Sequence, residues 1–279
     1  MLNTSSGNTH FTEVDLDFLI GEAAPQASNK VRLRQMILEE QEFRQAIVGD
    51  ERVFQRVISD AEVMVKLSPA LYFEILLRKA SKELDLSAYT LERIGKETIP
   101  VFDTSGVTEL MGQPRVLEYL AQMLASFTVI ESQVRRVRVR RGIWRRIRHN
   151  DMDIDSLVQL CSAADEENRL GYYKRIADVC LFVSSVFQDH SYFGQGGSRQ
   201  SAFPTSRRIR RSMEDYEWEG KRFYGLAESH PAARLAGLSG IFGVLREQFI
   251  YARKPLRFIA SQYLHSSRAN LFGSPPRPS

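Results

Sequence analysis

The sequence predicts a mainly α protein: a multi-helix single domain around one buried central helix (about 168–188), with a small β-hairpin element near 134–148. Three observations carry this. From Leu170 to Phe187 (LGYYKRIADVCLFVSSVF) apolar residues recur at helical spacing, and after Ile176 they fill nearly every face. A helix without a polar face has to be surrounded by others. Several further stretches show the same period behind capping residues or prolines. Only Val134 to His149 alternates differently: Arg136, Arg138 and Arg140 interleave with Val137 and Val139, the period of a strand.

Taken in order, residues 1–28 are rich in Ser, Thr, Asn and Gly and read as a flexible N-terminal tail, with an apolar patch from Phe11 to Ile20 that docks on the body. The helical domain then spans 29–265. Asn29 to about Ile47 is loosely amphipathic, and Val53 to Val65 continues it after Gly49 and Asp50. Ser68 and Pro69 form a start signal, a capping hydroxyl followed by proline at the first helical position, before an apolar run to Leu84. Residues 88–113 lose the helical period around Gly95 and Pro100, so extended segments or a short hairpin are expected there. Pro114 restarts a helix running to about Glu131.

In Val134 to His149 the pair Arg141-Gly142 suits a tight turn into a return strand from Ile143, although Ile143 and Ile147 also share a helical face. A helix from about Ile154 to Ala163 follows, and Asp165, Glu166 and Glu167 sit where the start of the central helix favours negative charge. Residues 191–212 read as a long loop. Met213 to about Ser229 is helical, Pro231 opens a helix through Lys254, and Pro255 opens a last one. Gly237, Gly240 and Gly243, three apart, suit close helix packing. Residues 266–279, ending in GSPPRPS, read as a disordered tail.

Two segments carry a resemblance. RIADVCLFVSSVF (175–187) and DYEWEGKRFYGLAES (215–229) resemble a mostly helical group of uncharacterised bacterial proteins. Asp178, Leu181, Phe182 and Phe187, then Tyr216, Gly220 and Tyr224, match its pattern, while Ala177 and Ser185 stand where it has glycines. The resemblance covers under a quarter of the chain and implies a helical fold with no assigned activity.

Composition narrows the functional classes. The chain has 279 residues, 43% hydrophobic, and a net charge of +4 that conceals an uneven distribution. Residues 1–130 hold 13 basic and 19 acidic side chains, whereas 131–279 hold 25 and 15. A basic half suggests a polyanionic partner, or simply attraction to the acidic half. Cys161 and Cys180 lack the spacing of a zinc site or disulfide framework, which points to a reduced, cytoplasmic chain. Neither a basic region before an apolar run nor a membrane-length apolar stretch is present, so no membrane association is expected.

The strongest candidate site is arginine-rich. The expected polyanion-binding residues are Arg135, Arg136, Arg138, Arg140, Arg141, Trp144, Arg145, Arg146 and Arg148, with Arg207, Arg208, Arg210 and Arg211 as a second cluster. Guanidinium groups match phosphates, and Trp144 offers a surface for stacking a base. The competing explanation is an edge hairpin protected by its charge, or arginines paired with the acidic half.

Other motifs fail on inspection. Asp151, Asp153 and Asp155 resemble the opening of a calcium loop, but Ser156 and Ser162 stand where the loop needs glycine and glutamate, and helix capping explains them better. His10, His149, His190, His230 and His265 are scattered. GQGGS (194–198) lacks the lysine of a P-loop, and no nucleophile elbow occurs. No catalytic residue, metal ligand or cofactor is therefore assigned. Three classes remain: a non-enzymatic binding module for nucleic acid or another polyanion, a helical protein-interaction scaffold, and an enzyme whose site the sequence hides.

Overall fold

Caps and prolines set most element boundaries in the computed structural model, which describes residues 11–94, 97–129, 132–140, 143–187, 211–264 and 271–272. The fold is mainly α. The sequence reading expects one domain. The chain instead forms two compact units that divide between Ala125 and Ser126. Residues 126–130 carry no charge, so the division in space is also the division between the acidic and basic parts of the sequence.

The N-terminal unit begins inside the expected tail. Residues 13–23 form α1 (Glu13–Ala23), held by a capping box in which Thr12 accepts from the Asp15 N–H and Asp15 accepts from the Thr12 N–H. Asp15 is buried and also accepts from the Ser68 N–H at 2.9 Å, tying α1 to the start of α6 (Pro69–Asp85). Between them the single helix expected from Asn29 to Ile47 is two, α2 (Lys30–Glu39) and α3 (Gln41–Val48). Glu40 between them is extended (φ −106°, ψ 104°), and the two helices pack on each other and on α1. A second extended residue, Asp60, separates α4 (Glu51–Ser59) from α5 (Ala61–Lys66) and accepts from the Glu62 N–H.

Ser68 caps α6 by accepting from the Leu71 N–H, with Pro69 at the first helical position. Leu71, Phe73, Ile75, Leu76 and Leu77 are buried, and each side chain of this size contributes about 1.5–3 kcal/mol on burial. After it, β1 (Thr90–Ile94) pairs antiparallel with β2 (Glu97–Val101). Next come α7 (Thr104–Met111), absent from the sequence reading, and α8 (Pro114–Ser126), which stops five residues before the expected Glu131.

In the C-terminal unit, β3 (Ser132–Arg140) pairs antiparallel with β4 (Ile143–Asn150), and the ribbon meets α9 (Ile154–Ala163). The expected turn at Arg141-Gly142 lies outside the described residues. So do the side chains of both strands, including those of the interleaved Val137 and Val139. A 3-10 turn at Glu166–Asn168 precedes α10 (Leu170–Val186), where the sequence puts the start of the central helix itself.

The core lies around α10, which packs against α9, α11 (Met213–Ser229) and α14 (Phe249–Gln262). Ile176, Ala177, Val179, Cys180, Leu181 and Phe182 are all buried. Phe182 stacks on Phe127 with centroids 4.1 Å apart, and Phe272 stands edge-on to it at 5.0 Å. Phe272 therefore belongs to the core, although the sequence reading assigns it to a disordered tail. Gly220 on α11 allows the close approach: a Cβ there would stand 2.4 Å from the Phe249 ring and 3.1 Å from the Cys180 Cβ.

The helix expected after Pro231 is three: α12 (Pro231–Leu235), α13 (Ser239–Glu247) and α14. Gly237, assigned from the sequence to helix packing, has φ 67° and ends α12, with the Leu238 N–H donating to the Ala233 carbonyl at 2.8 Å. Pro255 does not start a helix. It lies buried within α14.

Candidate functional site

Of the expected polyanion-binding residues, Arg135, Arg136, Arg138 and Arg140 fall on β3, and Trp144, Arg145, Arg146 and Arg148 on β4. The register sets Val134 opposite Arg148, Arg136 opposite Arg146, and Arg138 opposite Trp144. Arg141, Arg207, Arg208 and Arg210 lie outside the described residues.

Arg211 is described, and it is engaged within the fold. Its Nη2 donates to Asp155 Oδ1 at 2.6 Å and its Nε to Glu219 Oε2 at 2.6 Å, with only 10% of the side chain exposed. Burial alone would lower its pKa; the hydrogen bonds it donates to Glu219 and Asp155, with their negative charges, outweigh that and raise it. The guanidinium thus joins the turn before α11 to α9.

The aspartates resembling a calcium loop diverge. Asp153 caps α9, accepting from the Ser156 hydroxyl at 2.7 Å, Asp151 pairs with Arg175 at 2.5 Å, and Asp155 holds Arg211. Among the described residues no group of three His, Cys, Asp or Glu side chains could hold a metal ion. Asp178 on α10 is fully buried, where a carboxylate without a partner would be costly. Lys174 Nζ donates to it at 2.7 Å and the Tyr224 hydroxyl at 2.9 Å. Tyr224 thereby has a chemical use for its place in the Tyr216, Gly220, Tyr224 series.

A cleft of about 750 Å³ opens between α9, the start of α10, and α11. Asp155, Gln159 and Cys161 come from α9, Tyr173 from α10, and Glu219, Arg222, Phe223 and Leu226 from α11. Arg169 lines it too, donating to the Ala164 carbonyl at 3.0 Å and pairing with Glu166 at 2.5 Å. Burial pushes the Cys161 thiol up, so it is protonated at neutral pH and offers no ready nucleophile. The exposed Arg222 guanidinium lies 5.4 Å from the Trp218 ring centroid and 5.6 Å from that of Phe223. The sequence reading missed this cleft. Its one sequence signal is that Trp218, Arg222 and Leu226 recur every four residues, which puts them on one side of α11.

No family model, no curated protein and no solved structure matches the chain. Among the described residues no helix is long and apolar enough to cross a membrane.

Proposed function

We propose that the β3–β4 ribbon is a binding face for nucleic acid or another polyanion, and that the protein is a non-enzymatic binding module. The observation that carries this is the register, taken together with the composition of the stretch. Directly opposed and alternate residues of a ribbon share a face, so Arg136, Arg138, Trp144, Arg146 and Arg148 occupy positions on one face. Like charges at opposed positions destabilise a ribbon, and Arg136 faces Arg146 across it. Residues 132–150 contain no Asp or Glu that could offset this locally. A chain of phosphates would, and Trp144 would add a stacking surface for an unpaired base. Both cysteines are free and buried, which fits a reducing compartment such as the cytoplasm.

The test is a fluorescence-anisotropy titration of labelled single- and double-stranded oligonucleotides at two salt concentrations. Binding should be weak and nearly independent of sequence, with a salt slope of about 0.9 per neutralised phosphate on duplex. The quadruple variant R135E/R136E/R138E/R140E should lose binding while its far-UV spectrum stays unchanged. Trp144→Ala should weaken single-strand binding more than duplex binding. Equal binding by the quadruple variant and the parent, or none by either at low salt, removes the reading.

A further inference from the structure

The cleft of the C-terminal unit carries a second, separate inference, independent of the ribbon. We propose that it binds a small ligand joining a flat aromatic ring to a single carboxylate.

Size and charge both lead there. About 750 Å³ lies within the ordinary range for small-molecule sites, roughly 300–1,000 Å³. Three arginines line the cleft, and two are already neutralised: Arg211 by Asp155 and Glu219, Arg169 by Glu166. Arg222 differs. Among the described residues it meets the rings of Trp218 and Phe223 and no carboxylate. Arg222 is thus the lining guanidinium that no carboxylate meets among the described residues, although the charges around the cleft balance as a set. A guanidinium that rests its face on rings keeps its N–H edge available, and that edge fits a carboxylate in bidentate fashion.

The rest of the lining selects what the carboxylate is attached to. Tyr173 and Phe223, with centroids 6.2 Å apart, and Leu226 form a wall of aromatic and aliphatic carbon beside Arg222. A planar ring packs against such a wall with offset or edge contacts. Asp155 and Glu219 line the same space, so a doubly charged phosphate monoester meets repulsion that a monoanion balanced by Arg222 largely avoids. On the α9 side, Gln159 has no hydrogen-bond partner among the described residues and can donate to a ring substituent or the carboxylate.

The experiment is isothermal titration of the full chain with 2-naphthoate, its neutral isostere 2-naphthamide, and 2-naphthyl phosphate. Naphthoate should bind, with the amide and the phosphate each at least about tenfold weaker, the difference a charge-assisted bidentate contact makes. Arg222→Gln should bring naphthoate down to the level of the amide and leave the amide unchanged. Arg222 is exposed, so its replacement should not disturb folding, which circular dichroism checks. Gln159→Glu provides a second test from the opposite wall: it should weaken naphthoate and spare the amide. The proposal is overturned if naphthoate does not bind at millimolar concentration, if the amide binds equally well, or if Arg222→Gln leaves naphthoate unaffected. Tighter binding of the phosphate overturns the carboxylate assignment.

Discussion

The two units each bury a carboxylate completely, and they hold it in different ways. In the N-terminal unit Glu74 on α6 receives Arg78 at 2.7 Å and Arg44 at 2.9 Å, and Arg44 reaches on to Glu118 of α8 at 3.6 Å. Acid and base alternate across three helices, and every side chain in the series is at most 13% exposed. Arg44 also covers the Phe11 ring at 4.5 Å. In the C-terminal unit Asp178 receives a neutral phenol and one ammonium, and the Lys174 side chain is 35% exposed. The first network is closed to solvent, whereas the second has a cation that can turn to water. Their difference is therefore in what remains when the acid is lost.

The largest expected effect follows from the closed network. Glu74→Ala removes the buried acid that both the Arg44 and the Arg78 guanidinium groups meet, and it should cost about 3–5 kcal/mol in urea denaturation followed by circular dichroism. A loss below about 1 kcal/mol would show that Arg44 and Arg78 find water, and the contrast between the units would collapse. Asp178→Ala should cost less, about 2 kcal/mol. Lys174 can be rehydrated, which leaves chiefly the buried Tyr224 hydroxyl without this acceptor. Tyr224→Phe should remove part of that cost in the double variant, because the orphaned hydroxyl goes with it; strictly additive losses would argue against coupling.

The smallest effect concerns pH. Burial raises the Glu118 pKa, with Arg44 only partly opposing it. A carboxyl whose folded pKa lies above its unfolded value makes the native state bind more protons between the two values. Its contribution therefore becomes unfavourable as pH rises from the ordinary range near 4.3 through the raised value. The stability of the parent minus that of Glu118→Gln should accordingly be greater near pH 4 than near pH 7. A flat or opposite difference would show that Arg44 outweighs burial.

What the sequence revealed was mostly what it encodes within a turn or two. The Ser68-Pro69 start of α6 and the apolar run of the buried α10 are local patterns, and both are found. The Arg44, Glu74 and Glu118 series joins residues 30 and 74 positions apart, and no periodicity reports such a pairing. The Arg211–Asp155 pair was illegible for the same reason, since Asp155 lies 56 positions earlier. Helix α1 was passed over because the Ser, Thr, Asn and Gly of residues 1–28 read as a tail, and its tie to the body, the buried Asp15 beneath the Ser68 N–H, spans 53 positions. The breaks at Glu40 and Gly237 fall inside continuous apolar periods, where only packing decides that the chain turns. Of the candidate sites, the ribbon arginines were legible as a run of charge. The cleft was not, because its lining comes from residues between 155 and 226 that only the fold assembles.

The division between Ala125 and Ser126 also separates the chromophores. The chain has two tryptophans, Trp144 and Trp218, and both follow the boundary. Indole emission is therefore a reporter for the C-terminal unit alone, while the amide backbone signal averages over both. In a titration the two optical signals need not coincide. Their separation measures whether loss of the Glu74 network melts its own unit first, and no added label is needed to see it.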